Sequence, residues 1–516
     1  MKVWRINYRA IDRAMTKGIT MQVAHPPANT LFETLLGEHI AVDAHFLLTP
    51  DGAVLGYGAL RDQVLAVAAD LIKRGVAPGD RVLVQVGKQP SALTLYLGTI
   101  AAGAVFVPLN TAYTGAEIAY FLKDAAPRLL VLDAGTTAAA DVARAEGVDT
   151  VFLDAIAPEK NAAAGFAPVP RGPDDLAAIL YTSGTTGRSK GAMLTHDNLL
   201  SNARALADLW QWRSDDVLLH ALPIFHTHGL FVATNTTLIS GAAMYFLPGF
   251  DLDQIHEALP EVTTMMGVPT FYTRMLVDPR FNTSTMGHLR LIISGSAPLL
   301  TETHRAFEAQ TGHAILERYG MTETNMITSN PYVGDRRPGS VGHPLPGVSL
   351  RISDPDQQGI GGIEVKGPNV TPGYWQNPEK TAESFTADGF FITGDLGQIG
   401  PDGYLSIVGR AKDLVISGGY NIYPKEVEVE IDALPGVLES AVFGVPDADL
   451  GEAVAAAVVL TPGTEVGADD IMRALKDRLA RYKQPRQILF LPALPRNAMG
   501  KVQKNDLRVQ ATSRST

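Results

Sequence analysis

Hydrophobic positions in the first part of the chain alternate between helical and strand spacing. Apolar side chains recur every three or four positions over residues 60–72, which predicts a helix that stops at Gly75. The run RVLVQV that follows predicts a buried strand, and Ser91 opens a second apolar helix. The same alternation returns in LRLIISGSAPLL and the segment 301–310. Strands that alternate with crossover helices form parallel sheets, so we predict an α/β body that binds ligands at the carboxyl ends of its strands.

The pattern changes after Gly409. The stretch GRAKDLVISGGYNIYPKEVEVEI is charged and rich in turns, and the strand candidates AVFGV and AVAAAVVL follow it. A helix over 469–482 and the loop LPRNAMGK complete an α+β unit of about 100 residues, a normal domain size. We therefore predict an N-terminal extension over 1–25, a large domain over 26–411 with parallel-rich sheets, and a small C-terminal domain over 412–516.

One apolar stretch approaches the length of a membrane span. It runs from Ala92 to Leu109 and contains Gly98, Gly103 and Pro108. These residues favour a core helix followed by a short strand over a single spanning helix. We predict no membrane span.

Composition and charge narrow the class of protein. A chain of 516 residues is too long for one core, because cores stop growing near about 250–300 residues. The formal net charge of -11 argues against a nucleic-acid or anionic-membrane surface, which needs a positive field. The absence of cysteine excludes disulfides and thiolate chemistry.

The N-terminal extension bears on localisation. Its first twenty residues carry five basic residues and one Asp, which is compatible with an organellar presequence. Such presequences are usually rich in serine, and this stretch contains none. We predict a cytoplasmic protein and keep organellar targeting as the alternative.

The stretch YTSGTTGRSKGAML, residues 181–194, indicates an anion-binding loop. The Walker A pattern does not fit, because Lys190 is followed by Gly191 and not by Ser or Thr. Glycines nevertheless let backbone N–H groups converge, and hydroxyl groups add donors for phosphate oxygens. A polyphosphate therefore suits the loop, and a plain Gly/Ser/Thr-rich surface turn is the alternative. The candidate phosphate-binding residues are Thr182, Ser183, Gly184, Thr185, Thr186, Gly187 and Lys190.

Six motifs in order resemble those of the adenylate-forming superfamily, which comprises acyl-CoA synthetases, adenylation domains of peptide synthetases and firefly-type luciferases. They are YTSGTTGRSKGAMLTH, ALPIFHTHGL, ERYGMTET, FITGDLG, GRAKDLVISGGYNIYPKEVE and LPRNAMGKVQK. The resemblance spans about residues 29–508 and disfavours the surface-turn interpretation. It implies that ATP and a carboxylate form an acyl-adenylate, that pyrophosphate leaves, and that the acyl group then passes to the thiol of CoA.

The resemblance also implies roles for single residues. Glu323 corresponds to the Mg²⁺ ligand, Thr322 to the α-phosphate contact and Tyr319 to the adenine-stacking ring. Asp395 corresponds to the acceptor for the ribose diol, with Arg410 as a further nucleotide contact. Lys501 corresponds to the lysine that bridges the carboxylate and the α-phosphate. Lys412 takes the hinge position about which the small domain rotates, and the turn Ser417, Gly418 and Gly419 lines the CoA channel.

The acyl pocket decides which carboxylate reacts. We place His226, Arg274, Arg290 and Ser296 there, with His226 also among the catalytic residues. A buried arginine needs an anionic partner and its fork fits a carboxylate, so an arginine in the pocket indicates a second carboxylate on the substrate. The alternative for each arginine is a structural ion pair.

The motifs around this pocket resemble the malonyl-CoA synthetase branch, which implies malonate or methylmalonate as substrate. Another short acid such as acetate is the alternative substrate. A carrier-loading module and a luciferase are the alternative classes, and no residue pattern here specifies a luciferin pocket. Small molecules are the only partners we predict. The sequence does not indicate whether the protein is a monomer or an oligomer.

Overall fold

The computed structural model describes residues 29–37, 40–156, 165–182, 189–417, 420–447, 449–476, 478–497 and 501–513. The N-terminal extension 1–25 lies outside these residues. The strands are β1 (His45–Leu48), β2 (Val54–Gly56), β3 (Arg81–Gln85), β4 (Val105–Pro108), β5 (Leu129–Leu132), β6 (Asp149–Phe152), β7 (Leu176–Thr182), β8 (Lys190–Thr195), β9 (Val217–His220), β10 (Ala243–Phe246), β11 (Thr264–Gly267), β12 (Leu291–Ser294), β13 (Leu316–Met321), β14 (Asn325–Ser329), β15 (His343–Pro344), β16 (Ser349–Ser353), β17 (Gly361–Lys366), β18 (Phe391–Ile399), β19 (Leu405–Arg410), β20 (Val415–Ser417), β21 (Tyr420–Ile422), β22 (Val437–Asp447), β23 (Gly451–Leu460) and β24 (Gln487–Phe490).

Helices cover the faces of the sheets. They are α1 (Thr30–Leu36), α2 (Tyr57–Lys73), α3 (Pro90–Ala101), α4 (Gly115–Ala125), α5 (Thr137–Ala145), α6 (His196–Leu209), α7 (Thr234–Ile239), α8 (Leu252–Ala258), α9 (Pro269–Leu276), α10 (Thr283–Met286), α11 (Thr301–Thr311), α12 (Pro378–Glu383), α13 (Pro424–Asp432), α14 (Ala468–Leu475) and α15 (Lys504–Ser513). A turn of π-helix, His228–Ala233, leads into α7, and such turns often mark functional sites.

Two large sheets form the body. One has the order β6-β5-β3-β4-β7-β8 and the other the order β15-β14-β13-β12-β11-β9-β10-β1-β2. Pairing is parallel through the interior of both sheets and antiparallel where β8, β14, β15 and β2 join them near the edges. Parallel interior strands are buried on both faces, which explains apolar runs such as LIIS in β12. The predicted α/β body is confirmed.

The rest of the chain forms two smaller sheets. Strands β16 to β19 make an antiparallel sheet, and β21-β20-β23-β22, with β24 beside β23, make the sheet of the C-terminal unit. Helices α13 and α14 cover that sheet through Val427, Ile431, Ile471 and Leu475. The C-terminal unit is therefore α+β, as predicted.

Local sequence explains several helix ends. Thr195 and Asn198 form a reciprocal capping box at the start of α6, and Gly312 ends α11 with a φ of +79°. Among the described residues no helix has the length and apolarity to cross a bilayer. The stretch 92–109 instead forms α3 and β4 inside the core.

One predicted element is shorter than expected. The helix predicted over 469–482 ends at Leu475, and a separate 3-10 turn covers Arg481–Lys483. The chain turns between them, and the amides of Arg478 and Leu479 both donate to the carbonyl of Leu475. This turn lets Leu479 join the core of the C-terminal unit.

A short turn connects the body to the C-terminal unit. Strand β19 ends at Arg410, a 3-10 turn covers Ala411–Asp413, and β20 follows. Across the junction, the Tyr423 hydroxyl donates to Asp356 Oδ2 at 2.8 Å. The domain boundary at Lys412 stays a prediction.

Candidate functional site

The predicted nucleotide residues Tyr319, Asp395 and Arg410 contact one another. Tyr319 lies in β13, and its hydroxyl donates to Asp395 Oδ2 at 2.5 Å. Arg410, at the end of β19, places its Nε 3.1 Å from Asp395 Oδ1. Burial and the neighbouring carboxylate raise the pKa of Tyr319 well above its ordinary value, so the phenol stays protonated and donates. The buried Asp395 is therefore held between a donor and a cation, in a position to accept from a diol.

Glu323 sits in the turn between β13 and β14, beside Thr322. Its backbone carbonyl accepts from the amide of Thr371 at 2.7 Å, which anchors the turn. Its Oε1 accepts from the Tyr374 hydroxyl at 3.0 Å and from Thr182 Oγ1 at 3.5 Å. Desolvation and Glu323 raise the pKa of Tyr374, so this phenol also stays a donor. The Tyr374 phenol thus orients this buried carboxylate, whereas the single Thr182 hydroxyl proton is shared with the carbonyl of Lys190, also at 3.5 Å.

These contacts fit a magnesium site of the kind that relies on substrate oxygens. In the described ranges Glu323 Oε2 accepts no hydrogen bond, and no group of three or more His, Asp or Glu side chains is arranged to hold a metal. Mg²⁺ commonly takes one or two carboxylates and fills its remaining positions with water and phosphate oxygens. Glu323 can supply that one carboxylate.

The ends of the predicted phosphate loop lie at this carboxylate. Thr182 ends β7 and Lys190 begins β8, and the two residues pair in register. Thr182 is also the residue that reaches Glu323. The candidates Ser183, Gly184, Thr185, Thr186 and Gly187 lie outside the described residues.

Lys501 reaches the same cleft from the C-terminal unit. Its amide donates to Asn497 Oδ1 at 3.0 Å, and the Asn497 amide donates to the carbonyl of Lys501 at 2.9 Å. Lys501 is exposed as a residue, and partial desolvation, followed by the charge of Arg410, lowers the pKa of its ammonium group. Asp395 and Glu323 act in the opposite direction. The ammonium therefore stands within electrostatic reach of both nucleotide-site carboxylates.

His226 also lies within electrostatic reach of Lys501. Desolvation and the lysine charge lower the pKa of His226 to about 4, so its ring is neutral at pH 7. Its Nε2 is buried and has no hydrogen-bond partner among the described residues. A neutral imidazole with a free ring nitrogen can contact a substrate oxygen or carry a proton.

His228 and Ser296 form the next part of the site. His228 Nδ1 lies 3.1 Å from Ser296 Oγ, and burial lowers the pKa of His228 well below its ordinary value. Ser296 follows the carboxyl end of β12 with a φ of +71°, an uncommon conformation for a residue other than glycine. Such local strain clusters at binding sites. With His226, this pair lies where the acyl pocket is predicted, and the acid-binding role of His226 and Ser296 stays a prediction.

Arg318 is a buried residue close to the candidate site that sequence reasoning missed. It is only 4% exposed, and within the described residues its Nε and Nη2 are buried without hydrogen-bond partners. A Cβ added at Gly295 would lie 2.3 Å from Arg318 Cζ, so glycine is needed beside Ser296 for the guanidinium to fit. Burial lowers the pKa of Arg318 to about 9, so it remains a cation at pH 7. The available signal was one arginine inside the buried strand LERYGM.

The acyl-pocket role predicted for Arg290 is wrong. Arg290 precedes β12, so it lies about 13 Å along the strand from the carboxyl end, where the acyl pocket is predicted. Its Nε donates to Asp216 Oδ1 at 2.6 Å, and its Nη2 contacts Asp216 Oδ2. Asp216 is buried, so the pair is the structural ion pair that was the alternative for this residue.

Arg274 lies on the side of the sheet where the pocket is predicted, but its side chain is exposed. It lies in α9, which starts at the carboxyl end of β11, the strand next to β12. It is exposed, and its guanidinium stands 5.7 Å from the ring centroid of Phe250. Its role in acid binding stays a prediction.

The predicted CoA and hinge residues lie in and beside the C-terminal unit. Ser417 is buried at the end of β20, opposite Tyr420 in β21, and Gly418 and Gly419 lie outside the described residues. Lys412 is exposed in the connecting turn, and desolvation lowers its pKa. Their roles stay predictions.

This fold and cleft define an adenylate-forming enzyme. Residues 36–375 match the family described as AMP-binding enzyme, and residues 426–501 match the AMP-binding enzyme C-terminal domain. The chain belongs to the AMP-binding enzyme family and is an AMP-forming acyl-CoA ligase that uses ATP and CoA.

Curated relatives of similar identity act on different acids. A malonate–CoA ligase from Arabidopsis thaliana is 36% identical over 515 residues, covering 89% of this chain and 85% of that protein. A mitochondrial malonate–CoA ligase from Mus musculus is 34% identical, covering 88% and 86%. A feruloyl-CoA synthase from Amycolatopsis is also 36% identical, covering 89% and 94%. Identity to these relatives therefore does not select the acid.

Solved structures also bear on the arrangement of the chain. MatB from Rhodopseudomonas palustris is 53% identical, covering 95% of this chain and 100% of that chain. The TM-score is 0.91 to its ATP-bound form and 0.81 to its apo form. The arrangement described here is therefore closer to the ATP-bound form, in agreement with Lys501 in the cleft.

Proposed function

We propose that this chain ligates malonate, or methylmalonate, to CoA. The observation that carries the proposal is Arg318, a buried guanidinium beside Ser296 with two nitrogens left without partners. A buried cation is costly unless an anion pairs with it, and a guanidinium fork fits a carboxylate. A dicarboxylate would bring one carboxylate to Arg318 and present the other to the nucleotide.

Charge neutralisation and positioning would drive the first step. The attacking carboxylate and the α-phosphate are both anions, and a fixed cation between them lowers the barrier that their repulsion creates. Lys501 stands near Glu323 and Asp395 and supplies that cation. Asp395 and Arg410 hold the ribose, Tyr319 lies against the adenine, and Thr322 contacts the α-phosphate.

Magnesium belongs to the same proposal. Glu323 would hold the ion, which when bound neutralises charge on the phosphate oxygens. Tyr374 fixes the orientation of that carboxylate by donating to Oε1, and the Thr182 hydroxyl lies 3.5 Å from the same oxygen. Transfer to CoA would follow along the turn that starts at Ser417.

Acid-dependent exchange of labelled pyrophosphate into ATP tests the proposal. Malonate and methylmalonate are compared with acetate, propionate and benzoate at equal concentration. The pocket charge predicts the highest kcat/KM for the two dicarboxylates. A higher value for acetate or propionate would identify a ligase for short monocarboxylates, and a higher value for benzoate would rule out a charged pocket.

A further inference from the structure

Lys88 is a lysine whose ammonium group lies inside the body and has no carboxylate partner in the part of the chain that the structure describes. It follows β3 and donates from Nζ to His220 Nδ1 at 2.9 Å and to the carbonyl of His220 at 2.7 Å. Nζ also stands 4.5 Å from the ring centroid of Phe246. The residue as a whole is partly exposed, but its charged end is enclosed, and desolvation lowers its pKa well below 10.5.

A continuous series of contacts leads from Lys88 to the acyl pocket. His220 Nε2 lies 2.9 Å from the carbonyl oxygen of Gly229, and a carbonyl can only accept. Nε2 therefore carries the proton, and Nδ1 is free to accept from Lys88. Gly229 directly follows His228, whose Nδ1 contacts Ser296. Lys88 thus orients His220, which holds the backbone at the start of the π-helical turn.

The backbone at Gly229 has little freedom to move. A Cβ at this position would lie 2.1 Å from the carbonyl oxygen of Pro223. The Gly229 carbonyl also accepts from Thr234 Oγ1 at 3.1 Å. Two donors and a close backbone neighbour therefore set the direction in which His228 leaves the chain.

The energetics argue that Lys88 serves more than folding. A buried ammonium with only neutral partners loses hydration that two hydrogen bonds do not fully replace. A methionine of similar length would fill the space without that loss, and residues that reduce stability are commonly retained for function. Lys88 also spans two sheets, from β3 in one to β9 in the other.

We propose that Lys88 is a positioning residue, which acts through His220 and the Gly229 carbonyl to fix His228 and Ser296 for binding of the acid. The inference rests on the proposed function only in that the acid binds beside Ser296. It holds for whichever acid the enzyme prefers.

Lys88→Met and His220→Asn test the inference, with Lys73→Met as the matched control at an exposed lysine. Pyrophosphate exchange is measured with the preferred acid, and KM is determined separately for the acid and for ATP. Loss of one positioning hydrogen bond predicts an acid KM raised about fivefold to tenfold in either variant. The ATP KM of Lys88→Met should not rise, and its melting temperature should not fall. Lys73→Met should match the unaltered protein in all of these measurements. Because both residues act through one carbonyl, the double variant should add nothing further.

Three results would overturn the inference. An unchanged acid KM in both variants would show that the pocket does not depend on these contacts. Additive effects in the double variant would show that the two residues act separately. If neither variant folds, the two residues have a structural role alone. If only one variant fails to fold, the acid KM of the variant that folds tests the inference. The unaltered protein is measured first, so failure of the proposed function appears there and failure of this inference appears only in the variants.

Discussion

Arg318 and Arg290 allow the same substitution to be made at two sites with opposite surroundings. Both side chains are largely buried, but Arg290 is paired with Asp216, whereas Arg318 Nε and Nη2 have no partner among the described residues. Replacing each arginine with methionine removes one positive charge and keeps an apolar stem. We expect Arg318→Met to impair acid binding and Arg290→Met to impair stability.

The magnitudes follow from what each guanidinium contacts. A hydrogen bond to a charged group contributes about 1.5–3 kcal/mol, so the loss of Arg318 should raise the KM for malonate about tenfold to 150-fold. Stability should be unchanged or higher, since the variant no longer buries an unpaired charge. Arg290→Met would leave Asp216 buried without its cation, which costs about 3–5 kcal/mol.

Two assays separate these outcomes. Pyrophosphate exchange gives the KM for malonate and for propionate, which lacks the second carboxylate. Arg318→Met should lose its preference for malonate over propionate, because only the dicarboxylate needs the cation. Thermal unfolding should show a lower melting temperature for Arg290→Met alone.

The reasoning would be refuted by an unchanged malonate KM in Arg318→Met, or by equal losses for malonate and propionate. The first result would mean that the acid does not meet this guanidinium. The second would mean that Arg318 supports the pocket without contacting the distal carboxylate. A raised malonate KM in Arg290→Met at an unchanged melting temperature would show that Arg290 does take part in acid binding.

Three further predictions concern the C-terminal unit and a buried histidine. Lys501→Ala should lower pyrophosphate exchange by about 100-fold or more, because the cation that neutralises charge in adenylation is lost. Transfer of the acyl group from supplied acyl-adenylate to CoA should be unchanged, and an equal loss of both steps would contradict a role of Lys501 in the first step. Tyr423→Phe removes the hydroxyl that donates to Asp356 across the junction, so exchange should fall about fivefold with thioester formation unchanged in single-turnover assays. His196 is buried, and desolvation lowers its pKa from 6.5 to about 4. Between these two pH values the unfolded chain binds a proton at His196 that the folded chain does not bind. The free energy of unfolding therefore falls as the pH drops from 6.5 to 4, by about 1.4 kcal/mol per pH unit. His196→Asn should show a shallower fall of melting temperature with pH in that window, and an unaltered slope would contradict this.

The sequence was sufficient for the parts of this protein that depend on local pattern. Helical spacing over 60–72 predicted α2, which covers Tyr57–Lys73, and RVLVQV predicted β3. Alternating strands and helices predicted the parallel-rich body, because a parallel pair requires a crossover between its strands. The adenylate-forming class was also predictable, since six short motifs occur along the chain in the order that one superfamily has.

The acyl pocket depended on the tertiary structure. Arg274, Arg290 and Arg318 all lie near strands of one sheet, and spacing alone does not tell which end or face of a strand each side chain occupies. Arg290 turned out to lie at the amino end of β12, opposite the pocket, where Asp216 from another element neutralises it. Arg318 lies beside Gly295 because β13 pairs with β12, a contact between segments more than twenty residues apart. Buried charge is satisfied by neighbours in space, and those neighbours become known only when the strands are placed side by side.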